Sequence, residues 1–449
     1  MKAMVFLVIL LTSFHATPAL AEAPPADEPL RLSLTQAIER ARSSSPRLRE
    51  LESLENAALA DEHRARAGRW PDVDAGGGYS RLSDVPEFAI AQPDGTVRTI
   101  FPNIPNNYSA RVGLAVPLYT GGSLRAGIEA AGHQREAAEK NLATGDADLV
   151  LEVTAAYWDL VLAGERRRVV AEAIASFEAH LEDVRNRQRF GLAAANDVLA
   201  VEVERDRAEL SRLEAARAYA VAEANLARLL DLPPATTVAA SDALDAAGAP
   251  AGELEGLVAE ALAARPERAS LMARIAAATA AVEVERGARL PQVVASAGYD
   301  VARPNSRILP PEDEFNDSWG VSVSVAYNLF DGGKRRAAVA GAEARAEAER
   351  QRLAELDRAL RLEVTAQFLE IETARAAIAV AETAVASAVD NVRVAGDRYR
   401  EGLIPSSELL DAETALLRAG LDRTTAQARL RLAIAGLERA VGRGSQGEE

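Results

Sequence analysis

The sequence predicts an α+β membrane protein: a long α-helical coiled-coil barrel continued by a transmembrane β-barrel, built from a duplicated unit and closed as a trimer. Three observations predict it. One ungapped register relates the two halves of the chain. Period-two strands precede a Gly-Gly pair in each half. Two proline-free stretches are long enough to cross a compartment.

The N-terminus reads as a secretory signal. Lys2 supplies the positive start, Val5 to Leu11 the apolar middle, and Ala19-Leu20-Ala21 after Pro18 a small-x-small cleavage site. The apolar run is shorter than the about 20 residues of a spanning helix. Residues 1–21 are therefore expected to be removed, leaving 22–449. No later segment resembles a transmembrane helix, which excludes a polytopic inner-membrane transporter and leaves a β-barrel open.

The chain has no cysteine. That excludes disulfides, zinc–thiolate sites, cysteine nucleophiles and a lipid-modified N-terminal cysteine. The net charge is −16, and loss of Lys2 with the signal leaves −17, a balance that disfavours nucleic acid. Aromatic content is only 4% while alanine is plentiful, which suits long helices packed closely.

The duplication sets the organisation. Leu151-Glu-Val-Thr-Ala155 recurs at 362–366, 211 positions on. The same offset sets Leu118-Tyr119-Thr120-Gly121-Gly122 against Leu329-Phe330-Asp331-Gly332-Gly333, and Gly191-Leu192 against Gly402-Leu403. Upstream the offset is 220, aligning Pro46 with Pro266, Pro71 with Pro291 and Tyr79 with Tyr299. The difference places nine extra residues between Tyr79 and Ser109, a stretch rich in proline, Asp94-Gly95 and Asn106-Asn107 that reads as a loop. The first repeat is assigned to 22–240 and the second to 241–449, with a linker around 233–251. Each reads helix, strand, long loop, strand, very long helix, tight turn, helix.

In the second repeat Trp319, Val321, Val323 and Val325 alternate with Gly320, Ser322, Ser324 and Ala326. In the first, Tyr108, Ala110, Val112, Leu114 and Val116 alternate with Ser109, Arg111, Gly113 and Ala115. Period two gives one apolar and one small or polar face. Strands are expected at about 73–82, 108–117, 292–302 and 318–328, near the length of a tilted membrane strand. Alternation alone also fits a small soluble sheet; export and the helices favour the membrane. Four strands cannot close a barrel, and open edges are not tolerated in lipid. Two copies would give eight strands and a side-chain-filled interior; three would leave a lumen, and a conduit favours three.

No proline occurs from Leu118 to Leu232 or from Glu312 to Ile404. The residues between Gly122 and Gly191 would make a helix of roughly 100 Å at about 1.5 Å per residue. Val170, Ile174, Phe177, Leu181 and Val184 step by four and three, the spacing of coiled-coil-like packing. Long helices are expected at about 122–190 and 333–401, and shorter ones at about 34–70, 192–231 and 406–441. Two short helices stacked end to end would match one long helix. The long helices end at Phe190-Gly191-Leu192 and Glu401-Gly402-Leu403, where glycine suits a left-handed terminus.

At these residues the chain resembles the TolC-like outer-membrane efflux family. Pro117-Leu118-Tyr119-Thr120-Gly121-Gly122 and Asn328-Leu329-Phe330-Asp331-Gly332-Gly333 are similar to its strand-to-helix motif, and the resemblance spans the mature chain. It implies a homotrimer with a 12-strand barrel in the outer-membrane lipid and a 12-helix periplasmic tunnel, joined to a periplasmic adaptor and an inner-membrane pump. No cofactor is expected, since no nucleotide- or dinucleotide-binding motif is present. The segment from Arg398 to Asp411 resembles the family's tunnel entrance. Glu408 and Asp411 match its acidic ring, Tyr399 a tyrosine that holds the entrance closed, and Asp197 an acidic partner position. Gly191, Leu192, Gly402 and Leu403 would form the adaptor-docking turns. Ile404 and His180 depart from an arginine and a glutamine found in some members.

The residues support the ring independently. Glu408 and Asp411 lie three apart and share a helix face. Three copies would crowd six carboxylates around one axis, a cation-attracting arrangement. Two solvated acids favoured by a helix N-terminus are the alternative.

No nucleotide-binding loop, dinucleotide fingerprint, zinc-protease helix or nucleophile elbow is present. His63, His133 and His180 are scattered and read as solvated helix residues, so no metal site is expected. An enzyme is disfavoured. The reading is an outer-membrane channel subunit of a tripartite efflux or type I secretion system in a Gram-negative bacterium. The competing reading is an exported structural or adhesive trimeric coiled coil without a lumen.

Overall fold

The computed structural model describes residues 29–233, 236–244 and 252–443. The expected signal segment lies outside these. Two extended helices dominate: α3 (Ser123–Arg189) and α7 (Lys334–Arg400), each of 67 residues. Each starts at the second glycine of its Gly-Gly pair, with Gly122 at φ +88° and Gly333 at φ +89°. The chain enters the helix there through the left-handed region, which glycine adopts without the steric cost of a Cβ.

The sheet that precedes them has the order β2 (Asp72–Arg81), β5 (Asn106–Tyr119), β7 (Gln292–Arg303), β8 (Asn316–Ala326), all antiparallel. Register carries the argument. Ala75, Val112, Tyr299 and Trp319 form one row across the four strands, and Val73, Leu114, Ala297 and Val321 another. The intervening row is Asp74, Gly113, Gly298 and Gly320, and the next is Gly76, Arg111, Asp300 and Ser318. One face is thus apolar and the other small or charged, with Arg111 paired to Asp300 at 3.6 Å. The apolar face is bare: Val73, Val112, Val321, Val323 and Val325 are all exposed. Among the described residues, strands β2 and β8 are the edges of this sheet, each paired on one side only. Among the described residues no helix is long and apolar enough to cross a membrane.

The segment expected to be loop between the first strand pair contains a hairpin, β3 (Phe88–Ala91) with β4 (Val97–Phe101). Its turn is Asp94-Gly95. Gly95 lies at φ +86°, and Asp94 Oδ1 accepts from the Thr96 amide at 3.0 Å. An Asp-Gly pair between short β-forming runs is sufficient for this; the flanking prolines masked it.

The expected single helix over 34–70 is two helices, α1 (Leu34–Ser44) and α2 (Pro46–Ala67). Pro46 forces Ser45 out of helical geometry, and Ser45 Oγ then caps α2 by accepting from Leu48 N–H at 3.3 Å. The second repeat does the same at Arg265-Pro266, separating α5 (Leu254–Ala264) from α6 (Pro266–Gly287). The expected linker holds β6 (Val238–Ala240), which pairs in parallel with β1 (Leu30–Leu32); the fully buried Val238 anchors it.

Two further helices complete the chain, α4 (Ala195–Leu229) and α8 (Ser406–Val441). Helix α3 packs on α2 and α6 in its first half and on α4 and α8 in its second, while α7 packs on α6 and α8. The short helices meet end to end beside the long ones. The C-terminus of α4 abuts the α1–α2 break, where Ser44 Oγ donates to Leu230 O at 3.3 Å. The C-terminus of α8 abuts the α5–α6 break, where Arg265 donates to two of its carbonyls. Buried clusters sit at this waist, around Tyr157 and Leu230, and at the far helical end, around Phe177 and Leu410.

Candidate channel entrance

The helical end farthest from the sheet is made by two turns. In each, glycine is left-handed, Gly191 at φ +75° and Gly402 at φ +77°. The following amide reaches back to the helix: Leu192 N–H donates to Arg187 O at 2.9 Å and Leu403 N–H to Arg398 O at 2.9 Å. This closes the helix C-terminus in the usual glycine-terminated pattern. The tips are apolar and open to solvent, with Phe190 80%, Leu192 76% and Leu403 64% exposed.

Glu408 and Asp411 both lie exposed in the first turns of α8, on one side of the helix. Leu409 and Leu410, between them, are buried with Ile404 in one apolar cluster. Asp197 caps its own helix, accepting from Ala194 N–H at 3.1 Å.

Tyr399 is buried against the end of α3. Its ring lies between the Arg187 guanidinium, 4.2 Å from the ring centre, and the His180 ring, 5.4 Å away and tilted 63°. Arg187 Nη1 also donates to Tyr399 O at 3.0 Å, and Arg187 Nε to Asp183 at 3.0 Å. Among the described residues no hydrogen bond of standard geometry reaches the buried Tyr399 hydroxyl, which lies by the Asp183 carboxylate. Burial pushes the Tyr399 phenol above its ordinary value; Arg187 opposes this, and Asp183 and Asp197 add to it. The structure therefore holds Tyr399 by its ring and its carbonyl, and brings Asp197 near it only as a charge.

His180 is buried, at 5% exposure, and the reading of it as a solvated residue is corrected. Nδ1 lies 2.8 Å from Glu413 Oε2 and Nε2 3.0 Å from Ser406 Oγ, while Ser176 Oγ donates to Glu413 Oε1 at 2.7 Å. This polar group fastens α3 to α8 just behind the turns. Sequence reasoning missed Arg187, Glu413 and Ser406. One signal was available: His180 lies three residues after Phe177 and four before Val184, on the buried stripe of α3. Among the described residues there is no group of three or more metal-ligating side chains placed to hold an ion.

The protomer thus joins a sheet with a bare apolar face to long helices that end in two glycine turns, with the exposed carboxylates of Glu408 and Asp411 just beyond the second. Residues 37–231 and 257–443 each match the model of the outer membrane efflux protein family, and the chain belongs to that family. Protein CyaE of Bordetella pertussis is 29% identical over 423 residues, which cover 93% of this chain and 86% of that protein. The outer-membrane channel OprN shares the fold at 23% identity, with a TM-score of 0.79 over 92% of this chain and 91% of that one. The outer membrane protein VceC from Vibrio cholerae does so at 20% identity, with a TM-score of 0.78 over 91% of this chain and 96% of that one. The protein is an outer-membrane efflux channel subunit that extends into the periplasm. Channels of this family are trimers that work with a periplasmic adaptor and an inner-membrane pump.

Proposed function

We propose that this chain forms a homotrimeric conduit, receiving substrate from an inner-membrane pump through a periplasmic adaptor and releasing it outside the cell. One observation carries the reading: the sheet has a lipid-compatible face and two unpaired edges, β2 and β8. An unpaired backbone group in lipid costs several kcal/mol, so the edges must be paired. Joining β8 of one copy to β2 of the next is a head-to-tail contact, which closes as a ring. Three copies of the four-stranded sheet give a twelve-strand barrel with room for a lumen.

The helices support the same closure. Helices α4 and α7 flank the far end of the protomer and carry exposed apolar residues: Leu199, Val203, Leu210 and Leu213 on one, Val380, Val389 and Val394 on the other. Mutual burial of these flanks yields a twelve-helix tunnel from α3, α4, α7 and α8 of three copies. Glu408 and Asp411 then form the acidic ring at its mouth. The exposed turns at Gly191, Leu192, Gly402 and Leu403 offer the adaptor an apolar docking rim. Residues 1–21 serve as the export signal.

The test is the detergent-solubilised protein: a mass of three chains, and ion conductance in a planar bilayer. A three-chain assembly that never conducts would favour the adhesive coiled-coil reading. A soluble monomer would overturn both.

A further inference from the structure

The sheet meets the helices at one level of the molecule. Register fixes it: Asp72 lies opposite Ala115, Tyr119 opposite Val293 and Gln292 opposite Ala326, so all four strands reach the helices on the same side. In an acidic chain this level is basic, with Arg69 before β2, Arg289 before β7, and Lys334, Arg335 and Arg336 opening α7. Exposed aromatic rings stand among these cations: Trp70, Tyr327 and Phe330.

A groove of about 520 Å³ opens there, between the end of α6 and the Gly121-Gly122 turn, a volume in the range of small-ligand sites. Its floor is bare backbone: a Cβ on Gly287 would come within 2.6 Å of Ser123 N and 2.8 Å of Gly121 O. Glu283, Arg286, Arg289, Leu290 and Tyr327 form its walls. Arg286 is held by Glu283 at 2.7 Å and Glu343 at 2.6 Å. Arg289 is exposed and has no carboxylate in ion-pair reach among the described residues. Tyr327 follows Val321, Val323 and Val325 at the same spacing of two, which sets the groove on the lipid side, just beyond the apolar face.

The duplication repeats the parts. At the offset of 220, Arg66, Arg69 and Trp70 stand where Arg286, Arg289 and Leu290 do; at 211, Gly332-Gly333 stand for Gly121-Gly122. Within one copy the second set stays open: nothing lies within 4 Å of a Cβ on Gly332 or Gly333. Helix α3 packs on α6. The ring closure above sets α7 of one copy against α2 of the next in the same way, and so assembles the second groove between copies. That groove is the more basic of the two, because His63 and Gly132 stand where Glu283 and Glu343 do.

We propose that these grooves bind the headgroups of acidic phospholipids in the membrane leaflet that faces the periplasm. One groove lies within each copy and one at each seam. Arg289, or Arg69 at the seam, donates charge-assisted hydrogen bonds to the lipid phosphate. Tyr327 and Trp70 lie at the headgroup level, where such rings are favoured. Basic side chains beside a leaflet are drawn to its acidic lipids. The chain has no cysteine to carry a lipid anchor, so the grooves fix the depth at which the barrel sits. The seam grooves rest on the ring closure; the grooves within copies do not.

Native mass of the detergent-solubilised protein is read after titration with phosphatidylglycerol, and separately with phosphatidylcholine, whose ammonium offsets its phosphate. The three-chain assembly is expected to retain several-fold more of the acidic lipid. Arg289→Gln should lose part of this preference, and Arg69→Gln combined with Arg289→Gln should bring the two lipids to parity. Arg361→Gln, midway along α7, removes the same charge elsewhere and should keep the preference. Equal retention of both lipids by the unmodified protein, or a preference that survives the paired variant, overturns the site. So does loss of the preference in Arg361→Gln, or displacement of the lipid by an equal concentration of inorganic phosphate. A protein that never assembles as three chains removes the ring closure instead.

Discussion

Arg265 and Arg439 meet where two helices are spliced. Arg265 Nη1 donates to Arg439 O at 3.2 Å and to Ala440 O at 3.1 Å, so a side chain from the α5–α6 break caps the end of α8. Both guanidinium groups are nearly buried, at 6% exposure each, and both pair with Glu267. Asp148 and Glu363 complete the group. Helices α8 and α6 thereby act as one rod beside α3 and α7.

Replacing Arg265 by methionine should destabilise the protein strongly. It strips Glu267 and Glu363 of a partner and leaves two helix-end carbonyls uncapped. Breaking one partner out of a buried pair costs about 3–5 kcal/mol. A lowered thermal unfolding midpoint in detergent, with Arg265→Lys falling between, is the expected outcome.

The same group sets an acid limit. Burial, the strongest influence, raises the Glu267 carboxyl, but hydrogen bonds from Arg265 and Arg439 outweigh it and hold the group below its ordinary value. A carboxylate lowered by folding contributes stability that is fully present above its unfolded value and is lost as pH falls through the folded one. The melting advantage of the wild type over Glu267→Gln should therefore be complete at neutral pH. It should shrink below the ordinary carboxylate range. A difference that stayed constant to strong acid would refute the assignment.

Tyr399 separates ring from hydroxyl. Its ring packs between Arg187 and His180, while its hydroxyl makes no hydrogen bond of standard geometry among the described residues. Tyr399→Phe should leave resting conductance near wild type, whereas Tyr399→Ala should raise it by removing the surface on which Arg187 stacks. Equal effects of the two substitutions in planar bilayers would mean that the hydroxyl holds the entrance.

Glu408 and Asp411 are exposed in one copy and face a shared axis in the proposed ring. The double change to alanine should reduce cation-over-anion selectivity, read as a shift in reversal potential under a salt gradient, and should weaken block by multivalent cations. Thermal stability should stay close to wild type, because exposed side chains contribute little. Unchanged selectivity would leave the two acids as ordinary helix-start residues.

Much of this architecture is local and so lies in the linear text. Alternation along Trp319 to Val325 specifies a strand and a lipid face without reference to any distant residue. The Gly-Gly pairs, the proline-free stretches and the glycine turns mark where long helices begin and stop, because backbone conformation answers to neighbours along the chain. The β3–β4 hairpin was equally local, and was missed because prolines around it outweighed the Asp-Gly pair within it.

The entrance is different. The duplication places both turns and sets Glu408 opposite Asp197, and Asp411 shares the Glu408 helix face by its spacing of three. That His180 is buried on Glu413, that Arg187 spans to Tyr399, and that Arg265 splices α8 to α6 are contacts between residues separated by 170 or more positions. No periodicity encodes which helix lies beside which. That choice is made by packing, when one amphipathic stripe finds the surface that buries it, and polar residues caught at the seam must pair with whatever the opposite helix presents.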